Sequence, residues 1–574
     1  MLIHFPFNSD SGPGLRALLK SKKNARSSAF HLQRCRSTLA APMATLLDLA
    51  DLNAPAPLPA GLQAELSARF AADAPGAALG ILHQGRCFAG SRGLAALEPA
   101  RAVSPQSQFR ACSITKQLVA LVLLQLDAEG RLSLDDPPSR FVPELAALDP
   151  RLRLWHLAQN RSGLADYWCA AMLTGAQPET PFSAAAGRDL IMRLTQGMFA
   201  PGSGTRYNNG NFRILQWVIE AATGQPLSDL LQQRIFTPLG MHASYLGEDT
   251  AQPLPDGTRG YRAVSGTWEE EVTRIVWSGD AALVTTLHDL LRWEAAMLGL
   301  GPVSLAESHR LSIARPRPDG TTASYAFGLN VWHHEGRSMQ WHSGALRGFR
   351  MMHLRFPQDR ASVVVLLNRT ESPMAHALAF AACLGLHAAW DRPQAVDPPS
   401  SGWAPGALFC PAHDLVAELS GTTQAPTINL GMETQLLQWT GPGQLASSDG
   451  FLRLERSGDG FQIASRSQGW VGVFSPLSHD DARPRLAGRR FASPTLRSTA
   501  EFSADGQSVC FRGPHGQSLI HPVRALGGDL VAIDCPRALD EPPPGRFHLR
   551  LLEDALQLSC LLAHGPDLRF HAIR

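Results

Sequence analysis

The sequence predicts a large α+β domain, in which helices flank an antiparallel sheet, followed by two small antiparallel β-barrel domains. Two observations carry this prediction. In roughly the first two thirds of the 574 residues, apolar helical segments occur beside strand segments joined by short turns. The remainder contains only short alternating segments separated by turn residues, such as FLRLERS and FHLRLL. The expected bounds are 44–395 for the α+β domain, 409–478 for the first barrel and 486–574 for the second.

The elements of the first domain follow from local patterns. Residues 77–91 predict two strands that turn at Gln84–Gly85. Apolar residues at helical spacing predict three helices, at 115–128 with Gly130 after its end, at 211–223 and at 286–298. Between 325 and 367 the pattern changes to four strands, YAFGLNVWHH, RSMQWHSG, RGFRMMHLRFP and ASVVVLLN. Hairpin-linked strands beside several helices favour an antiparallel sheet.

Two segments separate the expected domains from one another. Residues 391–408 are rich in Pro, Gly and Ser, which predicts a linker between domains. A second break near 478–486 divides the strand-rich remainder into two units. At the other end, residues 1–43 predict a basic leader that is disordered or that precedes the true start at Met43.

Charge and cysteine usage exclude several classes of protein. The formal net charge is +2, and residues 1–42 carry seven Lys or Arg but one Asp, so the body of the chain is slightly acidic. A nucleic-acid binder carries its basic excess on folded domains, so this class is excluded. No apolar run is long enough to cross a bilayer, and we expect no membrane partner. Nine scattered cysteines without a CxxC pair indicate a reducing compartment, and we expect a cytoplasmic protein without a metal or other cofactor.

A single lysine marks the candidate site. Of the four lysines, three lie in the leader, and Lys116 is the one that remains among 44 arginines. A lysine amine can lose its proton near neutral pH when its surroundings are apolar or cationic, whereas a guanidinium stays charged. Ser113 lies three residues before it, at the start of the apolar helix, so both side chains share one face. An adjacent base can activate a serine hydroxyl as a nucleophile, although a capping serine beside a solvated lysine would have the same spacing.

Two further motifs follow in chain order. The Gly-rich loop after Ala200 contains the one Tyr-x-Asn of the chain, Tyr207 to Asn209. His342-Ser-Gly344 is a His-x-Gly motif on a predicted sheet edge, and it is favoured over the matching motifs at His83 and His334.

In this order, Ser-x-x-Lys, Tyr-x-Asn and His-x-Gly resemble the motifs of the serine β-lactamase and penicillin-binding superfamily. The third motif of that superfamily is usually Lys-Thr-Gly, and a His there is similar to the branch of bacterial D-aminopeptidases and related esterases. The segments SGLADY, GDAALVTTLHDLLRW and GALRGF, and the C-terminal LAGRRFASPTL and DCPRALDEPPPGRF, are similar to segments of that branch. The resemblance implies a β-lactamase-like first domain and the release of small N-terminal D-amino acids such as D-Ala.

The resemblance also implies roles for individual residues. Ser113 is the expected nucleophile, Lys116 its proton acceptor and Tyr207 the proton donor to the leaving group. Asn209 is expected to hold the substrate or Lys116, and His342 to take the place of the usual lysine beside Tyr207. Gly344 completes the third motif, and the N–H groups of Ser113 and Ala345 are expected to bind the oxyanion.

A loop of the last domain is expected to supply a carboxylate for the free α-ammonium of the substrate, with Asp534 as first candidate and Asp540 as second. The expected partner is therefore a small peptide or amino-acid amide. Whether two copies of the chain form a homodimer is left open by the sequence. Three alternatives remain at this stage: an esterase, a D-Ala-D-Ala carboxypeptidase or β-lactamase-like hydrolase, and a non-catalytic scaffold of the same fold.

Overall fold

The computed structural model describes residues 52–574 except for short gaps. These gaps are 178–179, 319, 321–322, 335, 372–375, 378–379, 382–383, 385, 387–393, 401–402, 432–433, 449, 467–468, 479, 536–544, 560–563 and 574. Residues 47–574 form one compact unit. In the part of the chain that is described, no helix is long and apolar enough to cross a membrane.

The first domain is built around a seven-stranded sheet. The strands of the whole domain, which include those of smaller sheets, are β1 (Ala56–Pro57), β2 (Ala77–His83), β3 (Arg86–Arg92), β4 (Leu94–Ala96), β5 (Arg101–Ala102), β6 (Gln108–Cys112), β7 (Tyr245–Leu246), β8 (Tyr261–Val264), β9 (Thr267–Glu270), β10 (Leu283–Thr286), β11 (Asn330–His334), β12 (Arg337–Leu346), β13 (Phe349–Phe356) and β14 (Ala361–Leu367). The order in the main sheet is β1-β3-β2-β14-β13-β12-β11. All neighbours pair antiparallel except β1 with β3, so the predicted antiparallel sheet is confirmed.

Helices cover this sheet on both faces. They are α1 (Ala60–Arg69), α2 (Thr115–Ala128), α3 (Leu154–Ala158), α4 (Tyr167–Ala171), α5 (Ala184–Arg193), α6 (Asn209–Thr223), α7 (Leu227–Leu231), α8 (Thr237–Leu239) and α9 (Leu287–Met297), and a π-helical turn (Gln232–Phe236) joins α7 to α8. Because β14 lies inside the sheet, its seven residues are all buried, and alternate side chains enter two separate cores. Helix α2 is buried from Thr115 to Leu126, which explains its apolar sequence on every face.

Two predicted elements differ from the structure. The predicted helix at 211–223 begins earlier, at Asn209, because the Asn208 side chain caps it by accepting from the Asn211 N–H. The predicted strand from 325 was wrong in its first half, since β11 starts only at Asn330. Gly328 has a positive φ of 74°, which interrupts extended backbone there. Tyr325 therefore lies in a loop and not on a strand.

Both C-terminal units are closed antiparallel barrels. The first has eight strands in consecutive order, β15 (Gly406–Cys410), β16 (Leu415–Gly421), β17 (Pro426–Asn429), β18 (Thr434–Gly441), β19 (Gln444–Ser447), β20 (Leu452–Ser457), β21 (Gly460–Ser465) and β22 (Trp470–Pro476). The second contains β23 (Arg490–Ser493), β24 (Ser498–Phe502), β25 (Ser508–Gly513), β26 (Gly516–Gln517), β27 (His521–Gly527), β28 (Leu530–Cys535), β29 (Gly545–Leu551), β30 (Ala555–Ser559) and β31 (His564–Ala572). Pairing of β24 with β25 closes it, and β26 extends from β25.

Both barrels contact the first domain. The Trp341 ring lies 4.8 Å from the Phe451 ring of the first barrel, measured between centroids. In the second barrel, His515 Nδ1 lies 2.6 Å from Thr174 Oγ1. Asp567 accepts a 2.7 Å hydrogen bond from the Gln196 N–H of the first domain. The barrels are therefore packed against the domain that carries the three sequence motifs.

Candidate active site

Ser113 lies in the turn between β6 and α2. The preceding residue, Cys112, has a φ of 53°, in the left-handed region that residues with a side chain rarely adopt. The turn continues with an Ile114 N–H to Ala111 carbonyl hydrogen bond of 3.2 Å and leads directly into the helix. Ser113 is half-buried, between the buried residues Cys112 and Ile114.

Lys116 is fully buried in the first turn of α2, and its amine contacts three oxygen atoms. Nζ lies 3.0 Å from Ser113 Oγ, 2.9 Å from Asn209 Oδ1 and 2.6 Å from the Asp280 carbonyl. The first distance confirms that the i to i+3 spacing brings the two side chains together. These contacts fix the amine beside the serine hydroxyl.

Burial changes the acid–base behaviour of this lysine. It lowers the pKa of Lys116 to about 8, although the nearby carboxylates of Asp280 and Asp166 act in the opposite direction. Near neutral pH an appreciable fraction of the amine is therefore neutral and can accept a proton.

Tyr207 stands on the other side of the nucleophile. Its hydroxyl lies 2.7 Å from Ser113 Oγ, and its ring lies 4.9 Å from Lys116 Nζ. Burial holds the pKa of Tyr207 well above its usual value. Lys116 is therefore the stronger candidate for the base, and Tyr207 keeps a proton that it can donate.

Asn209 links the lysine to a buried carboxylate. Its Oδ1 accepts from Lys116, and its Nδ2 donates to Asp166 Oδ2 over 2.9 Å. The backbone N–H groups of Asn209 and Trp168 also donate to Asp166. Of the two roles expected for Asn209, the structure displays the contact with Lys116.

A second buried carboxylate lies behind Lys116. Asp280 pairs with Arg213 over 3.0 Å and accepts a 2.8 Å hydrogen bond from the Tyr167 hydroxyl. The Ser278 N–H donates to its other oxygen over 2.9 Å. These contacts fix the Asp280 backbone, whose carbonyl accepts from Lys116.

His342 lies next to Tyr207 but hydrogen-bonds elsewhere. The two ring centroids are 5.9 Å apart. His342 Nε2 lies 3.0 Å from the Tyr325 hydroxyl, and Nδ1 lies 2.6 Å from the Ser343 carbonyl oxygen. In the described part of the chain, His342 therefore contacts Tyr207 through ring packing and Tyr325 through a hydrogen bond.

Gly344 and Ala345 lie on the free edge of β12. Strand β11 pairs with β12 only as far as Trp341, so the following residues face the site on that side. A Cβ on Gly344 would collide with the Ala111 carbonyl, so glycine permits the close approach of β12 to the turn that carries Ser113. Leu346 pairs with Phe349 across a two-residue turn, and strand alternation then directs the Ala345 N–H away from β13.

Of the two candidate carboxylates of the last domain, Asp534 lies in the described part of the chain. Asp534 lies at the end of β28, where Arg546 Nε donates to it over 2.7 Å and Arg524 Nε lies 3.6 Å away. Both arginines also approach Glu418 of the first barrel. Asp540 falls outside the described residues.

Asp166 and Asp280 lie in the family-like segments SGLADY and GDAALVTTLHDLLRW, but the sequence alone assigned them no function. It also did not identify Tyr325 or Arg213 as site residues. Three of the five tyrosines, residues 167, 207 and 325, lie in or directly behind the site. The scarcity of tyrosine is therefore a signal present in the sequence. It could be interpreted only once the structure showed that these three residues, which are distant in the chain, lie close together.

A serine hydroxyl held between a buried amine and a phenol, on an α+β domain of this topology, defines a serine hydrolase of the β-lactamase type. In agreement, the β-lactamase family model matches residues 61–385. The model for domain B of D-aminopeptidase matches residues 398–564.

Full-length relatives narrow the assignment. The chain is 31% identical to the D-aminopeptidase of Brucella ovis over 509 residues, which cover 86% of this chain and 95% of that protein. It is 30% identical to the D-aminopeptidase of Gluconobacter oxydans over 527 residues, or 88% and 97% of the two chains. The chain therefore belongs to the D-aminopeptidase family. Among solved structures, the octameric penicillin-binding protein homologue from Pyrococcus abyssi shares the fold, with a TM-score of 0.50 at 18% identity over 80% of this chain and 98% of that one.

Proposed function

We propose that the protein releases small N-terminal D-amino acids, such as D-Ala, from peptides, amides and esters through an acyl-enzyme on Ser113. One observation carries the proposal. Ser113 Oγ lies within hydrogen-bond distance of both Lys116 Nζ and the Tyr207 hydroxyl, at 3.0 and 2.7 Å. A nucleophile placed between a base and a proton donor is the arrangement that acyl transfer requires.

In the acylation step, the neutral amine of Lys116 takes the hydroxyl proton as Ser113 Oγ attacks the substrate carbonyl carbon. The N–H groups of Ser113 and Ala345 stabilise the negative charge that develops on the carbonyl oxygen, for about 3 to 4 kcal/mol per donor. When the carbon–nitrogen bond breaks, Tyr207 donates its proton to the leaving amine and regains one from Lys116. A water molecule then attacks the ester bond between Ser113 and the acyl group. The same groups take a proton from the water and return one to Ser113 Oγ.

The exopeptidase character requires recognition of a free α-ammonium. A carboxylate in a restricted, partly desolvated pocket is its natural partner. We propose that the loop after β28 supplies it, through Asp534 or Asp540. Asp534 is the first candidate, and a substrate ammonium would have to share or displace its present contact with Arg546.

We further propose that the protein works in the cytoplasm on small substrates and that its domains span 44–395, 409–478 and 486–574. The nine cysteines without a CxxC pair support this location. The strands of the two barrels, 406–476 and 490–572, support two separate units, and the first strand begins three residues before the proposed limit at 409.

A substrate panel tests the proposed function. Purified protein is incubated with D-Ala-p-nitroanilide, L-Ala-p-nitroanilide, p-nitrophenyl acetate and nitrocefin. We expect hydrolysis of the D-anilide to exceed that of the L-anilide and of nitrocefin. Turnover of the ester alone would indicate an esterase, and preferred nitrocefin turnover a β-lactamase. No turnover and no covalent labelling would indicate a scaffold. Each of these three outcomes would overturn the proposal.

A further inference from the structure

The first barrel contacts the first domain at the residue that precedes Tyr207. The guanidinium carbon of Arg206 lies 5.7 Å from the centre of the Trp470 ring, and the two residues are only 5% and 7% exposed. An aromatic face attracts a cation, and the attraction is stronger where water is excluded. Because Arg206 and Tyr207 are adjacent in the chain, this contact connects the barrel to the proposed proton donor.

Both partners of this contact are held in place by their own domains. In the barrel, the Trp470 ring lies 5.5 Å from the His413 ring and 6.0 Å from the Phe474 ring, measured between centroids. In the first domain, the backbone N–H of Arg206 donates to the Asn160 carbonyl over 2.9 Å. The contact therefore joins a ring that the barrel fixes to a backbone that the first domain fixes.

The same corner of the barrel, formed by Gly469 and Trp470, also contacts the residue before Tyr325. Gly469 has a positive φ of 64°, and a Cβ built on it would lie 2.9 Å from Ser324 Oγ. The Tyr325 and Tyr207 rings pack edge to face at a centroid distance of 6.2 Å. One corner of the first barrel thus contacts the residues that precede both tyrosines.

We propose that Trp470 is a positioning residue of the active site: through Arg206, it holds the Tyr207 phenol where it can protonate the leaving group. The Tyr207 hydroxyl lies 2.7 Å from Ser113 Oγ, and a displacement of about 1 Å can cost about 10²-fold in rate. The first barrel is then a part of the catalytic unit and not an appendage. The inference rests on the proton-donor role of Tyr207 in the proposed function.

The test uses pairs of esters that share an acyl group and differ in the leaving group. A p-nitrophenolate leaves without a proton, whereas a benzyl alkoxide must be protonated as it departs. One pair is the p-nitrophenyl and benzyl esters of D-alanine, and the other is the two corresponding acetates. We compare values of kcat/KM, because they report the acylation step in which the leaving group departs.

In Trp470→Leu, we expect kcat/KM for the benzyl esters to fall by about tenfold or more, and that for the p-nitrophenyl esters to change by less than about threefold. A loss of folded protein lowers both values equally and leaves their ratio unchanged. Equal losses for the two leaving groups would therefore overturn the proposal.

The control is Trp439→Leu, because Trp439 lies in the core of the same barrel and donates to the Thr423 carbonyl over 2.8 Å. This variant should keep the wild-type ratio of the two esters, even where its Tm falls. Trp470→Phe retains an aromatic face for the cation, so it should stay within about threefold of the wild-type ratio. A change of the ratio in Trp439→Leu as large as in Trp470→Leu would overturn the proposal.

Variants of Arg206 test the other partner of the contact. Arg206→Met should show the same selective loss as Trp470→Leu, and the double variant should lose no more than either single variant, since both remove one interaction. Arg206→Lys keeps the cation and should retain more of the wild-type ratio than Arg206→Met. Additive losses in the double variant would overturn the proposal. If Trp470→Leu does not fold, the comparison of Arg206→Met with Arg206→Lys decides, and equal ratios in these two variants would overturn it.

Tyr207→Phe separates a failure of this inference from a failure of the proposed function. A selective loss for the benzyl esters in Tyr207→Phe, but not in Trp470→Leu or Arg206→Met, would overturn the inference alone. Equal losses for both leaving groups in Tyr207→Phe would overturn the proton-donor role and the inference with it. If the wild type cleaves the acetates but no D-alanyl ester, the proposed function fails and the pair of acetates decides the inference.

Discussion

Arg213 and Asp280 form an ion pair of 3.0 Å whose side chains are only 2% and 0% exposed. The same Asp280 accepts a hydrogen bond from Lys116 through its backbone carbonyl. The pair thus places one positive and one negative charge close behind the amine that the mechanism uses as its base. The protonation of Lys116 depends on both charges.

The first prediction concerns the pH dependence of the wild-type enzyme. Burial lowers the pKa of Lys116 to about 8, and the neutral amine is the active form. We therefore expect kcat/KM for p-nitrophenyl acetate, which carries no ammonium that titrates in this range, to rise with pH, by about tenfold per unit at low pH, and to level off above about pH 8. The rate is measured over a series of buffers at constant ionic strength. A fall in activity over this range would identify a protonated group as essential and would contradict the role of Lys116.

The second prediction concerns the buried ion pair. The Asp280 carboxylate favours the charged amine and the Arg213 guanidinium disfavours it. The midpoint of the pH profile should therefore move down in Asp280→Asn and up in Arg213→Met. Both variants should also lose about 3 to 5 kcal/mol of unfolding free energy, because each leaves an unpaired group in the interior.

The exposed pair Arg151 and Asp149 provides the matched control. Its nitrogen–oxygen distance is 2.6 Å, but the arginine is 70% exposed, so Arg151→Met should change stability by less than about 1 kcal/mol. Denaturant titration measures stability and the pH profile gives the midpoint. Shifts of the midpoint in the same direction in both buried variants would refute this account of Lys116.

The third prediction concerns the packing of β12 against the turn that carries Ser113. In Gly344→Ala the new Cβ meets the Ala111 carbonyl and lies 3.1 Å from the Cys112 Cβ, so strand and turn must move apart. A displacement of the nucleophile from the Ala345 N–H should reduce kcat by about 10²-fold. Gly61→Ala is the control, since nothing lies within 4 Å of its new Cβ. Unchanged kcat in Gly344→Ala would mean that this approach has no catalytic role.

The fourth prediction concerns the ammonium of the substrate. If Asp540 or Asp534 pairs with it, the Asp→Asn variant should lose about 2 to 5 kcal/mol in kcat/KM for D-Ala-p-nitroanilide. The N-acetylated D-anilide, which carries no cation, should lose little or gain. Asp534→Asn also disrupts the contact with Arg546, so its thermal stability is measured as well. Equal losses for both substrates in both variants would exclude this loop from the site.

Much of the fold could be predicted because its patterns are local. The helix at 115–128 coincides with α2, and the turn at Gln84–Gly85 joins β2 to β3. Both elements depend on the periodicity of neighbouring residues. The strand expected from Tyr325 was wrong at its beginning because an apolar run does not reveal where a glycine with positive φ interrupts it. The sequence alone therefore placed Tyr325 on a strand.

Site residues that belong to a sequence motif could be predicted, whereas residues that reach the site only through tertiary contacts could not. Lys116 was recognisable because lysine is rare, and the structure confirms its contact with Ser113. Tyr325 contacts His342 from a separate loop, and no spacing rule connects the two. Arg213 looks like an ordinary helix residue until α6 brings it to Asp280. Such partners are defined by packing.

The fifth prediction tests the central claim that Ser113 is acylated with Lys116 as its base. A D-alanyl ester is mixed with the protein, the reaction is quenched with acid, and mass spectrometry of the peptides locates the D-alanyl adduct. We expect the adduct on Ser113 in wild type, none in Ser113→Ala, and a rate of formation lower by about 10³-fold or more in a folded Lys116→Arg protein. An adduct on another residue, or wild-type rates in Lys116→Arg, would contradict the account.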